Sequence, residues 1–301
     1  WSRQWQGCQG RRDTSPHRTP LLSKRTHPTG PGNSSKLLER HGGNDNDFTS
    51  HDYTGYYQNI ARDRLEMVME MEADRMVDLV FTEQDFQTER DVVLEERRSR
   101  TDNSPRAQFS EQVAAAQFLA HPYGVPVIGW EHEIRSNTYD DAYAFYRAHY
   151  APNNALLVVA GDITAAELKP LAERIYGPIP AQSLAARERP QEPPQRAARR
   201  IEMSDSQVAN PEWSRSYLAP SYRADPDDHA VALDVLAEIF GGGSTSRLYQ
   251  ALVVDQQIAG NAGAYSSGAL PDPTRFSVSL RARPGRGRSA RAPRRARGAA
   301  P

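Results

Sequence analysis

Between residues 180 and 200 the sequence runs PAQSLAARERPQEPPQRAARR, and this stretch limits the possible folds more than any other. Proline has no backbone donor and is excluded from helix interiors and central strands. No apolar period crosses the run, so it reads as a linker with a folding unit on either side. A length of 301 residues is sufficient for two domains. Residues 36–179 alternate apolar-periodic and turn-like segments, as a first domain should. Residues 201–280 are expected to form part of a second, similar domain. Residues 1–35 and 281–301 break the pattern.

The flanks constrain function in different ways. The last 21 residues, RARPGRGRSARAPRRARGAAP, hold eight arginines and no acid. They read either as a disordered basic tail able to touch a polyanion, or as coding sequence translated out of frame. The whole chain carries a net charge of −1, which gives no general case for nucleic acid. Cys8 is the single cysteine, which excludes an internal disulfide and a cysteine-rich zinc site. The start, WSRQWQGCQGRRDT, lacks the apolar core of a signal peptide, and no run approaches membrane-spanning length. A soluble protein, cytoplasmic or periplasmic, is expected.

Within the first domain, KLLERHGG (36–43) predicts a helix end with a glycine stop, and residues 44–61 two short strands around HDYTG. Residues 61–81 predict an amphipathic helix with Leu65, Met69, Ala73, Met76 and Leu79 or Val80 inside. Thr82 and Asp85 make a capping-box entry to the next helix, which runs to about Arg100. Further helices follow at 104–120, 139–150 and 164–177, with ALLVVAGDI (155–163) as a central strand. Residues 229–260 predict two helices around a glycine loop. That loop, GGGSTSR, lacks the Gly-Lys-Ser/Thr ending of a phosphate loop.

The segment TERDVVLEERRSRTDNSP (88–105) raises the main chemical question. Glu89 and Glu96 lie seven residues apart, close to two helical turns, and share a face with Val92 and Val93. A carboxylate on an apolar face needs a cation, supplied by lysine or arginine or by a metal.

Together with HPYGVPVIGW and YAPNNALLVVAGDI, this segment resembles the pitrilysin/insulinase family of zinc metallopeptidases, which includes the mitochondrial processing peptidase. The resemblance spans roughly residues 30–280 and implies an α+β fold, a mostly antiparallel sheet with helices packed on it. It also implies zinc as cofactor, with Glu96 as third ligand and Glu89 as a supporting acid. The other ligands and the general base come from an upstream His-x-x-Glu-His helix. The resemblance further implies hydrolysis of peptide bonds in peptides or unfolded segments.

The sequence lacks that motif. Its eight histidines, 17, 27, 41, 51, 121, 132, 149 and 229, include no pair four apart. LLSKRTHPTGPG (21–32) resembles the stretch that follows the motif in the family, which places the motif on PHRTP. The ligand positions are then Pro16 and Pro20, and the base position Thr19. Proline cannot ligate zinc, so the chain as written is expected to be inactive. Either residues 1–31 are a corrupted stretch of a peptidase gene, or the chain is a non-catalytic subunit or peptide-binding partner.

In the family, substrate adds as a strand to a sheet edge, and NDFT resembles that edge. Asn46, Asp47, Phe48 and Thr49 are the candidate substrate-binding residues, with an ordinary polar-faced strand as the alternative. His41 and His51 are weaker candidates for replacement ligands. The family also uses an Arg and a Tyr seven apart on a helix. Val253 and Gly260 stand at those positions here, which implies a second family subunit carrying the pair.

Overall fold

The computed structural model describes residues 33–185, 189–225 and 227–283. They form two compact units. One comprises the described residues up to Ala114 with Ala120–Gln191, the other Ala115–Leu119 with the described residues from Glu192 onward.

The first unit opens with α1 (Asn33–Arg40), which ends where the glycines predict. Gly42 adopts φ +73°, and the amides of Gly42 and Gly43 bond back to Glu39 and Leu38. Strands β1 (Asn44–Thr49) and β2 (Thr54–Asn59) follow as an antiparallel hairpin, with Asp47 opposite Tyr56 and Phe48 opposite Gly55. Gly55 makes room for the Phe48 ring, since a Cβ there would lie 2.5 Å from it.

Helix α2 (Leu65–Val77) buries Met69 and Ala73 as its periodicity predicts, and adds Val68 and Arg75. Leu79 beyond it is buried while Val80 is exposed. Helix α3 (Glu83–Arg97) starts at the predicted capping box, in which the Thr82 hydroxyl accepts from the Asp85 amide and Asp85 accepts from the Thr82 amide. Past Arg97 the helix widens into a π-helical stretch, Arg98–Asp102. Helices α4 (Pro105–Gln117), α5 (Glu131–Ser136), α6 (Tyr139–His149) and α7 (Ala165–Tyr176) follow.

Two apolar clusters hold this unit. Phe86 of α3 packs with Leu79, Phe81, Ala142 and Tyr146, and Val93 and Leu94 pack on Ile134 of α5. At about 25 cal/mol per Å² of buried apolar surface, such side chains supply most of the favourable folding free energy. The seven-residue face of α3 is split by this packing: Val93 is 1% exposed, Val92 48%.

The sequence reading fails at residues 155–163. No strand forms there, and among the described residues none lies alongside. A strand persists only where a neighbour takes its backbone hydrogen bonds. Leu156 and Val158 are consequently 87% and 75% exposed.

The second unit is a three-stranded antiparallel sheet in the order β3-β5-β4, with β3 at Glu212–Ala219, β4 at Ala259–Ser266 and β5 at Thr274–Ala282. Helix α8 (His229–Gly241) packs on it through Ala237, against Ala219 and Phe276. Gly241 permits this close approach, because a Cβ there would sit 1.8 Å from the Ala264 nitrogen. The glycine loop then leads, with Gly243 at φ +97°, into α9 (Arg247–Tyr249) and a π-helical stretch, Gln250–Asp255. The loop thus serves as an interhelical connection. The arginine-rich stretch begins inside β5, and its residues from 284 lie outside the described residues.

Candidate functional site

Strand β1 presents Asn46 and Phe48 outward, while Asp47 and Thr49 turn partly inward. Its one ladder is with β2; among the described residues its other edge carries no strand. A strand edge offers its backbone donors and acceptors to an added strand, though on β1 the Asp47 amide already donates to Asn46 Oδ1 at 2.9 Å. Phe48 stands edge-on to Tyr53 at 5.7 Å, which fixes an apolar post beside the edge.

Beneath the hairpin lies a polar layer. Arg75 of α2, 7% exposed, pairs with Glu72 one turn earlier and stacks 3.6 Å from the Tyr56 ring centroid. Burial opposes its charge, yet Glu72 and Tyr56 more than offset this and hold the guanidinium above its ordinary value. The Tyr56 and Tyr150 hydroxyls meet at 2.5 Å. Burial pushes Tyr56 up to about 12 and Tyr150 well above the usual tyrosine value. Arg75 Nη1 and Asp47 Oδ2 are both buried without a hydrogen-bond partner. Burial raises the Asp47 carboxyl; Arg75 pulls it down and Glu96 pushes it up. The fold thus brings β1 and the end of α3 close enough for Asp47 and Glu96 to sense each other.

The cation beside Glu96 is Arg100, with Nη1 2.8 Å from Oε1. Glu89 lies half-exposed on α3 two turns earlier. A zinc ion needs about four ligands, with histidine nitrogens prominent in hydrolytic sites. Beside Glu96 the structure offers the Arg100 guanidinium, and the carboxylate that feels the charge of Glu96 is Asp47. Among the described residues no three His, Cys, Asp or Glu side chains are arranged to hold a metal. His51 packs on Tyr123, and His121 accepts from the Tyr123 amide through Nδ1. The described residues do not fit zinc. Positions 16, 19 and 20 lie outside them. Val253 falls in the π-helical stretch and Gly260 in β4, so the two Arg/Tyr positions do not share a helix.

Sequence reasoning missed Arg75 and the Tyr56–Tyr150 pair. An arginine on the inner face of an amphipathic helix was the available signal.

Residues 21–130 match the family described as Insulinase (Peptidase family M16), and residues 136–292 the Peptidase M16 inactive domain. The zinc protease PqqE of Helicobacter pylori is 31% identical over 238 residues, covering 78% of this chain and 53% of that protein. A crystal structure of a protease from Helicobacter pylori matches with a TM-score of 0.77 at 30% identity, over 88% of this chain and 63% of that one. The periplasmic protease PqqL from Escherichia coli shares the fold, with a TM-score of 0.76 at 19% identity over 90% of this chain and 31% of that one. The chain spans about half the length of the curated relatives it matches. With family models on both halves and a relative above 30% identity over most of its length, the chain belongs to the insulinase (M16) family of peptidases.

Proposed function

We propose that this chain handles polypeptides, gripping an extended segment along the open edge of β1, and that its sequence as it stands holds that segment without cutting it. The open edge is the observation that carries the reading. Added strands gain affinity from main-chain hydrogen bonds and make little demand on side chains. Asn46 and Phe48 on the outward face, and Asp47 and Thr49 on the inward one, flank the peptide. Zinc-dependent hydrolysis is the chemistry of the family, and Glu96 is the acid placed to serve it. Here Glu96 is engaged by Arg100, and His-x-x-Glu-His is absent from the sequence. A second family subunit bearing the Arg/Tyr pair completes the assembly in this reading. Among the described residues no helix is long and apolar enough to cross a membrane.

A labelled, unstructured peptide titrated by fluorescence anisotropy tests the grip. Methylating its backbone nitrogens removes two or three donors at about 1 kcal/mol each, so affinity is expected to fall at least about tenfold. Unchanged affinity overturns strand addition. Mass spectrometry of the same mixture with zinc supplied is expected to show intact peptide. Chelator-sensitive cleavage would instead establish the endopeptidase.

A further inference from the structure

The second unit contains a cleft that the strand-addition site does not use. It has a volume of about 470 Å³, within the usual range for small-molecule and side-chain pockets. Its walls come from α8, from β4 and from the connection between β4 and β5.

Asp234 and Glu238, four residues apart on α8, stack on one face of that helix. Like charges at this spacing repel, and neither has a cationic partner among the described residues. The ordinary account of such a pair is a solvated helix face. Here, however, the two line a cleft with Tyr222 and Tyr265, and no lysine, arginine or histidine lines it among the described residues. Tyr222 donates its hydroxyl to the Asp234 carboxylate. Its amide donates to the Gly268 carbonyl at 2.9 Å, and its ring lies against Gly268, where a Cβ would come within 3.0 Å. Glu238 folds its carboxylate against Gly242, where a Cβ would meet Oε2 at 2.4 Å. Two glycines therefore set the positions of an acid and an aromatic wall. Ser266 Oγ, in the same wall, is buried and has no hydrogen-bond partner.

We propose that this cleft binds an alkylammonium or guanidinium group, the basic side chain of a polypeptide. The carboxylates supply charge-assisted acceptors. Tyrosine rings attract cations through their faces. The choice of a polypeptide as carrier of the cation rests on the peptide-binding reading; the cleft's preference for a cation does not.

The test uses the full chain and two unstructured peptides, identical except for a central arginine or its neutral isostere citrulline. Calorimetric titration is expected to show the arginine peptide binding about tenfold more tightly, the scale of one charge-assisted hydrogen bond. The preference should disappear in Asp234→Asn/Glu238→Gln. It should weaken in Gly242→Ala, which displaces the Glu238 carboxylate and leaves the net charge intact. Circular dichroism and thermal melting establish that each variant folds. Equal binding of the two peptides overturns the proposal, as does a preference unchanged in both variants. Arginine amide binding as tightly as the peptide overturns the polypeptide assignment. Repeating the pair with methylated backbones separates this site from β1: strand addition is then disabled, and the arginine preference is still expected.

Discussion

Glu96 and Arg100 lie one turn apart where α3 passes into its π-helical end, and their charged groups meet at 2.8 Å. The residue that the family resemblance proposes as a metal ligand is, in this chain, half of an ion pair. Arg100 is 76% exposed, so the pair is held in solvent and contributes little to stability. Arg100→Ala is expected to change unfolding free energy by about 0.5 kcal/mol or less, measured in urea. Zinc content by elemental analysis should be far below one per chain and unaffected by Glu96→Gln. One tightly held zinc that this substitution removes would contradict the assignment.

One residue after Glu96, Arg97 makes the opposite kind of pair. It is 6% exposed and grips Glu111 with both terminal nitrogens, at 2.8 and 2.9 Å, while also donating to the Gly129 carbonyl. Removing one partner of a buried pair leaves the other charge uncompensated. Arg97→Met is expected to cost about 3 kcal/mol, seen as a lower denaturation midpoint with an unchanged slope. A cost under about 1 kcal/mol would mean that solvent reaches Glu111 freely.

Tyr146 joins α6 to the end of α2 through its hydroxyl, accepting from the Leu79 amide at 3.2 Å and donating to the Arg75 carbonyl at 3.1 Å. Burial pushes this phenol up to about 12. Tyr146→Phe strands both backbone groups in a buried site and should destabilise by about 1–3 kcal/mol. A loss indistinguishable from zero in chemical denaturation would show that the two groups find other partners.

Asp47 gives a prediction with a definite sign. Its folded carboxyl titrates above the ordinary 3.8, chiefly because of burial and against the pull of Arg75. Between those two values the folded state holds a proton that the unfolded state has released. Stability from this group is therefore complete below 3.8 and declines as pH rises to the folded value. Asp47→Asn removes the decline. Calorimetric melting should show the variant more stable than the wild type at pH 7, with the advantage gone at pH 3.5. The reverse order at pH 7 would place the Arg75 attraction above the cost of burial.

What the sequence disclosed was mostly local. The capping box at Thr82–Asp85 depends on residues three apart, and it forms. The glycine stop after α1 and the two strands of the hairpin were legible for the same reason. Strand β4 was not, because AGNAGAYS has poor strand propensity. Pairing with β5 and the contact of Gly241 on Ala264 make it a strand, and both come from distant parts of the chain. For ALLVVAGDI the error runs the other way: strong strand composition lacks a neighbour. At the candidate site, Glu89 and Glu96 could be placed on one helix by spacing alone, and the arginine alternative for Glu96 was visible four residues on. The polar layer of Arg75, Tyr56 and Tyr150 was not, since it is assembled from three elements.

The bare segment from Ala155 to Gly161 has a consequence for the cell as well as the test tube. It is seven residues of high β-propensity with neither charge nor proline, the profile that seeds ordered aggregation when left uncovered. Wherever this polypeptide is made without something to cover Leu156 and Val158, chaperones and proteolytic quality control will compete with fibril formation for it. Its steady-state abundance will then depend on that competition as well as on its synthesis.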